Sequence, residues 1–145
     1  MWPVTALTFL ILGALSLRGV RSAYVLFVML GLLFFPARVG FHFTPQSCEI
    51  ALNLPLVLLS LTNWRHIVLF ALFFVMTSVQ FRAATWATTG WAALITLVMG
   101  VLVETGQAVT GKGHCRLRDL IPDTAGVVLG ALLVSWRHWA GKKVR

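Results

Sequence analysis

Long apolar segments separated by short polar connections are the feature of this chain that most constrains its fold. Hydrophobic residues make up 59% of the 145 residues and charged residues only 11%, whereas roughly a quarter of the residues in soluble domains are charged. The mean hydropathy is +0.88. Because a helix of about 16 to 20 apolar residues can cross a hydrocarbon layer roughly 30 Å thick, the composition predicts an integral membrane protein.

The segments predict an all-α fold, a polytopic transmembrane helix bundle with about five crossings. The five helices are expected approximately over Trp2–Leu17, Ser22–Phe35, Trp64–Phe81, Thr85–Val109 and Leu120–Trp139. A further apolar stretch, IALNLPLVLLSL, contains Pro55 and is too short to span, so we expect it to be re-entrant or interfacial. The first segment lacks the basic flank of a signal peptide and is expected to be retained. We therefore expect a single transmembrane domain over residues 1–145.

The net charge of +8 would indicate nucleic-acid binding in a soluble chain, but here the basic residues follow the ends of the apolar segments. At such positions they anchor helices and face lipid headgroups, so membrane lipids, and not nucleic acids, are the expected partners. Five crossings sort the basic residues onto two sides. One side has Arg18, Arg21, Arg82, Arg137, Lys142, Lys143 and Arg145, and the other has Arg38, Arg65, Lys112, Arg116 and Arg118. The positive-inside rule then predicts an outside N-terminus and a cytoplasmic C-terminus in a multi-pass protein.

The charged stretch LVETGQAVTGKGHCRLRDLIPDTAG, residues 102–126, lies between two apolar segments and holds most of the acidic residues of the chain. Glu104 and Gln107 are three positions apart and so share a helix face near the outer end of the fourth helix. A carboxylate at membrane depth is usually paired or faces a water-filled cavity. The candidate partners of Glu104 are His66, Lys112, Arg116 and Arg118. Both a structural ion pair and a working acid, base or ligand fit this pattern.

Two further carboxylates, Asp119 and Asp123, fall at the start of the last helix. Asp119 can accept the free N–H groups of the first turn. Asp123 lies one turn deeper on the same face, which indicates a polar pocket within the apolar layer. Gly126 and Gly130 form a small-xxx-small pattern that predicts close packing of this helix against a neighbour.

The histidines and cysteines leave several interpretations open. His66 near the start of the third helix fits either a hydrogen-bonded structural residue or a proton shuttle. Cys48 and Cys115 are both predicted on the outer side, where an oxidising compartment would permit a disulfide. A metal site that combines the two cysteines with His42 and His114 is the alternative, but no pair has the spacing of a zinc motif. Two free thiols are the third possibility, and we expect neither a metal nor a cofactor.

The residues Glu104, Gln107, Asp119, Asp123 and Gly126 resemble the signature of the VanZ-like membrane proteins, which reads roughly E-x-x-Q and then D-x-x-x-N-x-x-G at the start of the final helix. This resemblance extends over residues 102–133. It implies a small helical membrane protein of the bacterial envelope, in a family named for low-level resistance to the glycopeptide antibiotic teicoplanin.

A second stretch, RHIVLFALFF, is similar to the family's pattern of a His that begins an inner helix with an aromatic residue one turn later. It supplies His66 and Phe70, within residues 64–77. The chain departs from the family at Asp123, where the family has Asn, and at Thr62 and Asn63, where it has an acidic residue and a Lys. The family's loop Arg has no clear equivalent.

These observations favour two classes of function. In the first, a binding or accessory protein, the outward polar cluster holds an anionic or lipid-linked envelope precursor, alone or beside a larger envelope enzyme. The expected ligand-binding residues are Gln107, Lys112, Arg116, Arg118 and Asp123. In the second class, a membrane hydrolase or transferase, the expected catalytic residues are His66, Glu104 and Asp119. A transporter is disfavoured because the charges gather at one end of the helices.

Overall fold

The computed structural model describes residues 2–34, 43–82, 85–111 and 113–143, which form an all-helical chain. The helices agree with the predicted segments to within a few residues, except at the C-terminal end of the last one. They are α1 (Trp2–Leu17), α2 (Arg21–Phe34), α3 (Leu54–Leu61), α4 (Trp64–Val79), α5 (Trp86–Thr110) and α6 (Leu120–Lys143), with a short 3-10 helix at Leu117–Asp119 before α6.

Local capping explains where two of these helices begin and end. Thr85 and Thr88 form a capping box at the start of α5, in which the side-chain oxygen of each residue accepts the backbone N–H of the other. Gly111 ends α5 with a left-handed conformation, φ 62°, that favours glycine. At α3, the side chain of Asn53 accepts the N–H of Leu56 at 2.9 Å.

Pro55 divides the apolar stretch at the start of α3. Pro55 lies in the first turn of α3, where its missing N–H has no carbonyl partner to lose, so it begins the helix. Helix α3 is bent by 65° from α4. This geometry fits a broken span or a re-entrant segment.

Helix length alone does not establish five crossings. Among the described helices, α5 is long and apolar enough to span a membrane, and α3 with α4 can count as at most one further span. Helices α1 and α2 are apolar but shorter. Helix α5 is nevertheless only 17% buried within its most apolar window, so most of its apolar surface faces outward.

The polar and apolar residues are distributed as in a protein surrounded by lipid. Large side chains such as Leu10, Leu72 and Leu132 are more than half exposed. Several hydroxyls are buried instead, and each donates to the carbonyl four residues earlier in its own helix. They are Ser16, Ser60, Thr77, Thr96 and Thr110. These bonds satisfy the hydroxyl protons of the five residues in an apolar surrounding.

Helices α4 and α6 make the most extensive helix contact, and the glycines of α6 allow it. A methyl group at Gly126 would lie 2.6 Å from the Ile67 carbonyl oxygen and 2.7 Å from Phe70 Cβ. A methyl group at Gly130 would lie 2.9 Å from the Ala71 carbonyl oxygen. The predicted packing role of the two glycines is therefore confirmed, since no larger residue fits at this distance.

The contacts divide the bundle into two chemically different ends. At one end, the Arg21 guanidinium donates to the Gln80 carbonyl, and the Gln80 amide donates to the Ser16 carbonyl. Arg82 and Arg137 lie at this same end, and we call it the basic end. The opposite end brings together the N-terminus of α4, the C-terminus of α5 and the start of α6, and we call it the acidic end because all four acidic residues lie there.

Candidate functional site

A histidine and an aspartate form a pair inside the acidic end. The Nδ1 atom of His66 lies 2.8 Å from Oδ1 of Asp123. The Asp123 side chain is 2% exposed, whereas the imidazole is 29% exposed and stacks on Phe70. A buried carboxylate bonded to Nδ1 fixes the orientation of the ring, so that the exposed part of the imidazole is held in one position.

A glycine of α5 makes room for the other oxygen of this carboxylate. A methyl group at Gly100 would lie 2.8 Å from Oδ2 of Asp123 and 3.2 Å from the Phe70 ring. Three helices therefore meet at this pair. Helix α4 contributes His66, α6 contributes Asp123, and α5 approaches the carboxylate at Gly100. Sequence analysis did not select Gly100, because nothing along the chain distinguishes it from the other helical glycines.

Glu104 is buried, as predicted for a carboxylate with a partner, but the partner is a backbone group. Its Oε2 atom accepts the N–H of Arg116 at 2.7 Å, and the residue is 6% exposed. Arg116 was one of the candidate partners, and it contributes its backbone N–H, so that this bond connects the loop after α5 to the helix. Glu104 also interacts electrostatically with His66, Asp119 and Asp123, so these four groups form one charged cluster.

The guanidinium groups of Arg116 and Arg118 are both directed to Glu49. Arg118 donates to Oε1 of Glu49 at 3.0 Å, whereas the Nε atom of Arg116 lies 3.3 Å from Oε2 without making a hydrogen bond within the described residues. Sequence analysis placed both arginines in a binding cluster but gave Glu49 no role. The Arg118 side chain is 14% exposed and that of Glu49 is 42% exposed, so the carboxylate is the outer member of the group.

A short backbone pairing holds Glu49 in this position. Its N–H donates to the Cys115 carbonyl at 2.9 Å, and its carbonyl accepts the N–H of Leu117 at 3.0 Å. These bonds form a parallel bridge between Glu49 and Arg116. Cys48 and Cys115 are joined by a disulfide beside the bridge, with their Cα atoms 4.7 Å apart. Since each cysteine precedes a member of the bridge, the pairing of Cys48 with Cys115 was the sequence signal that could have located Glu49.

The disulfide removes the thiols from the alternative metal site, because the two sulfurs bond to each other. His114, the neighbour of Cys115, is exposed, and His42 lies outside the described residues. Within the described ranges, no three His, Cys, Asp or Glu side chains are grouped so that they could hold a metal ion.

The segment before the disulfide covers the C-terminal end of α5. The N–H of Gln46 donates to the Ala108 carbonyl at 2.8 Å, and the Thr44 hydroxyl donates to the Thr110 carbonyl at 2.8 Å. These bonds satisfy carbonyls that have no partner within the helix. The Gln107 side chain packs against Gly113 and is partly exposed. Lys112, the remaining predicted ligand-binding residue, lies outside the described residues.

Asp119 ends the 3-10 helix directly before α6, with its N–H bonded to the Arg116 carbonyl. It interacts electrostatically with His66 and Asp123. The structure therefore brings most of the predicted site residues to one end of the bundle. This group combines an oriented imidazole with carboxylates and guanidinium groups, a chemistry suited to binding an anion or transferring a proton.

A family model described as VanZ/LLP1 matches residues 22–138, which is most of the chain. Comparisons with curated proteins and with solved structures gave no match.

Proposed function

The chain belongs to the VanZ-like family, and from this premise we propose that it is a multi-pass protein of the bacterial cytoplasmic membrane that binds an anionic or lipid-linked envelope component. The binding surface is the acidic end, with Arg116 and Arg118 as the groups that contact the anion. By sequestering such a component, the protein would contribute to resistance of the teicoplanin type. A larger envelope enzyme that uses the same component is the expected partner.

The observation that carries this proposal is the placement of two arginines within ion-pair distance of one partly exposed carboxylate. Glu49 lies 3.3 Å from Arg116 and 3.0 Å from Arg118, and the partly exposed His66 ring is at the same end of the bundle. A phosphate or diphosphate has the oxygen geometry to replace the Glu49 carboxylate on the arginines, because guanidinium groups bind both kinds of anion through paired N–H donors. Glu104 and Asp119 keep the loop and the start of α6 in register.

The proposed orientation puts the acidic end outside. The basic end has Arg18, Arg21, Arg82 and Arg137 with no acidic side chain, which favours the cytoplasmic side. A disulfide at the acidic end is consistent with an oxidising compartment. We propose five crossings in which the bent pair α3 and α4 counts once, and in which the short helices α1 and α2 span with locally thinned lipid.

Lipid retention tests the binding function. The wild-type protein is purified in mild detergent and its bound lipids are identified by mass spectrometry, together with the variants Arg118→Gln and Glu49→Gln. We expect enrichment of an anionic or polyprenyl lipid in the wild type and a loss of it in Arg118→Gln. Arg65→Gln is the matched control, because Arg65 is exposed at the same end and contacts Trp64 instead of Glu49.

Glu49→Gln separates direct binding from a structural role. If the arginines bind the anion, removing the competing carboxylate raises retention by up to about fivefold, since an exposed ion pair contributes roughly 0 to 1 kcal/mol. If the carboxylate only holds the loop, retention falls in Glu49→Gln as it does in Arg118→Gln. Equal retention by the wild type, Arg118→Gln and Arg65→Gln contradicts the proposal.

A membrane enzyme that acts on a lipid-linked phosphate or glycan is the second candidate, and the His66–Asp123 pair is the observation that favours it. When Nδ1–H of His66 donates to the Asp123 carboxylate, the Nε2 atom has a lone pair that can accept a proton from water or a hydroxyl. A general base at this place would activate the nucleophile, and the arginines would stabilise the charge that develops on phosphate oxygens.

Phosphate release from a polyprenyl diphosphate in lipid nanodiscs tests the enzyme function. We expect release by the wild type, none by His66→Gln, and unchanged release by His114→Gln, since His114 is an exposed histidine at the same end. If the wild type releases phosphate no faster than protein-free nanodiscs do, the enzyme proposal is contradicted. The binding proposal is not affected by this result and is tested by lipid retention.

A further inference from the structure

A cavity at the basic end is the feature that the proposed function does not use. It lies between the C-terminal half of α4, the start of α5 and the C-terminal half of α6, and it has a volume of about 440 Å³. This volume is in the range of small-molecule sites. We call it the basic cavity, because two of its lining residues are Arg82 and Arg137.

The charges around the basic cavity are all of one sign. The four acidic side chains of the chain lie at the other end of the bundle, where Glu49 binds arginines, Glu104 binds a backbone N–H and Asp123 binds His66. No acidic side chain is therefore within reach of Arg82 or Arg137. Two guanidinium groups that line one cavity repel each other, and a shared anion would replace this repulsion by attraction.

The Ser78 hydroxyl, on a residue that lines the same cavity, is a hydrogen-bond donor without an acceptor among the described residues. The Oγ atom of Ser78 is buried and makes no hydrogen bond within the described part of the chain. Buried polar atoms are nearly always paired, and a hydroxyl donor on a residue that lines the same cavity as Arg82 and Arg137 fits the chemistry of a phosphate site.

Apart from Thr88 and Thr89, the remaining lining residues are apolar, and the apolar lining continues to the outer surface of the bundle. Val79 and Leu133 both line the cavity, and they are 38% and 44% exposed. A ligand whose phosphate lies between the arginines can therefore extend an apolar chain along these residues without burying it in a polar surrounding. An ion alone would leave this apolar wall without a partner.

We propose that the basic cavity binds the phosphate group of an amphiphile, with Arg82, Arg137 and Ser78 as its donors. The phosphate can come from the headgroup of an anionic phospholipid or from a soluble phosphate ester, and the apolar wall favours the phospholipid. The inference does not rest on the function proposed for the acidic end.

Native mass spectrometry of the protein in nanodiscs tests the proposal. The discs consist of phosphatidylcholine with a rising fraction of phosphatidylglycerol, and the bound phosphatidylglycerol is counted for each chain. We expect one retained molecule in the wild type and about tenfold weaker retention in Arg82→Gln and in Arg137→Gln, which is the loss expected for one charge-assisted hydrogen bond. Arg18→Gln is the matched control, because Arg18 is exposed at the same end but does not line the cavity.

Ser78→Leu provides a test that keeps both guanidinium groups. Its side chain is expected to fill part of the cavity and to reduce retention at unchanged charge. Retention equal to the wild type in Ser78→Leu, or a loss in Arg18→Gln as large as in Arg82→Gln, overturns the proposal, because either result indicates unspecific attraction by surface charge. An unchanged midpoint of thermal unfolding identifies the variants that remain folded.

The two sources of phosphate are distinguished by competition. Glycerol 3-phosphate and inorganic phosphate are added at millimolar concentration to the phosphatidylglycerol discs. Displacement of the lipid, or binding of the soluble compound with the same dependence on Arg82, assigns the cavity to a soluble phosphate. Retention of the lipid assigns it to the headgroup. Phosphatidylglycerol that is lost in Arg82→Gln but kept in Arg118→Gln belongs to the basic cavity, and lipid that is lost only in Arg118→Gln belongs to the acidic end, so a failure here is distinguished from a failure there.

Discussion

A methyl group added at two different glycines should change stability by different amounts. In Gly90→Ala the new Cβ meets nothing within 4 Å, so alanine adds only its helix propensity, about 1 kcal/mol in favour of the folded state. In Gly126→Ala the same gain is opposed by contacts of 2.6 Å and 2.7 Å with α4. Because the propensity gain is common to both variants, the difference between their free energies of unfolding isolates the packing term.

The size of that term follows from the geometry. Ordinary contact begins at 3.4 Å, so relief of the 2.6 Å contact requires α4 and α6 to separate by about 0.8 Å, and overpacking of this kind costs about 1 to 3 kcal/mol. The same displacement would lengthen the His66–Asp123 bond from 2.8 Å to as much as about 3.6 Å, which is no longer a hydrogen bond.

Unfolding in mixed micelles with increasing dodecyl sulfate provides the free energies. We expect Gly90→Ala to be more stable than the wild type, and Gly126→Ala to be less stable than Gly90→Ala by about 1 to 3 kcal/mol. The imidazole nitrogen NMR shifts of His66, assigned with His66→Gln, should change only in Gly126→Ala. Equal stability of the two alanine variants, or a histidine signal that is the same in both, would refute the argument that the α4–α6 distance holds the pair together.

Three further changes test separate features. Reduction of the disulfide, or Cys48→Ser, opens a loop of 67 residues to Cys115 and should lower the free energy of unfolding by about 2 to 4 kcal/mol; thermal unfolding with and without reductant measures this, and an insensitive midpoint contradicts it. Glu104→Leu removes the acceptor of the Arg116 N–H and should cost about 1.5 to 3 kcal/mol, whereas Glu104→Gln keeps an acceptor and should cost less; similar losses in chemical unfolding would disprove the bond. Asn53→Ala removes the cap of α3 and should cost about 1 kcal/mol, seen as faster hydrogen exchange confined to the first turn of α3.

The helices could be predicted because each one has its own local signals. The apolar segments, the Thr85 cap and the Gly111 end all depend on residues close together in the chain, and α5 differs from its prediction by one residue at each end. The stop of the last helix was predicted too early, since α6 continues through Lys143. No helix start was predicted at Pro55, because proline has opposite meanings in the first turn and in the interior of a helix.

The site was predicted in outline but not in its pairings. The charged stretch and His66 were recognised as one end of the bundle, because topology alone brings the ends of neighbouring helices together. The partner of Asp123 is 57 positions away and that of Arg118 is 69 positions away. Such separations depend on how the helices pack, and no local pattern encodes them. Glu49 was therefore without an assigned role until the bridge to Arg116 was seen.

The disulfide also has a consequence for how the protein is made. Cys48 precedes α3 and Cys115 follows α5, so the bond closes a covalent ring around three consecutive helices. In the orientation proposed above, this ring can close only after the C-terminal end of α5 has reached the outer face of the membrane. Formation of the disulfide would therefore depend on insertion of α3, α4 and α5 in this order.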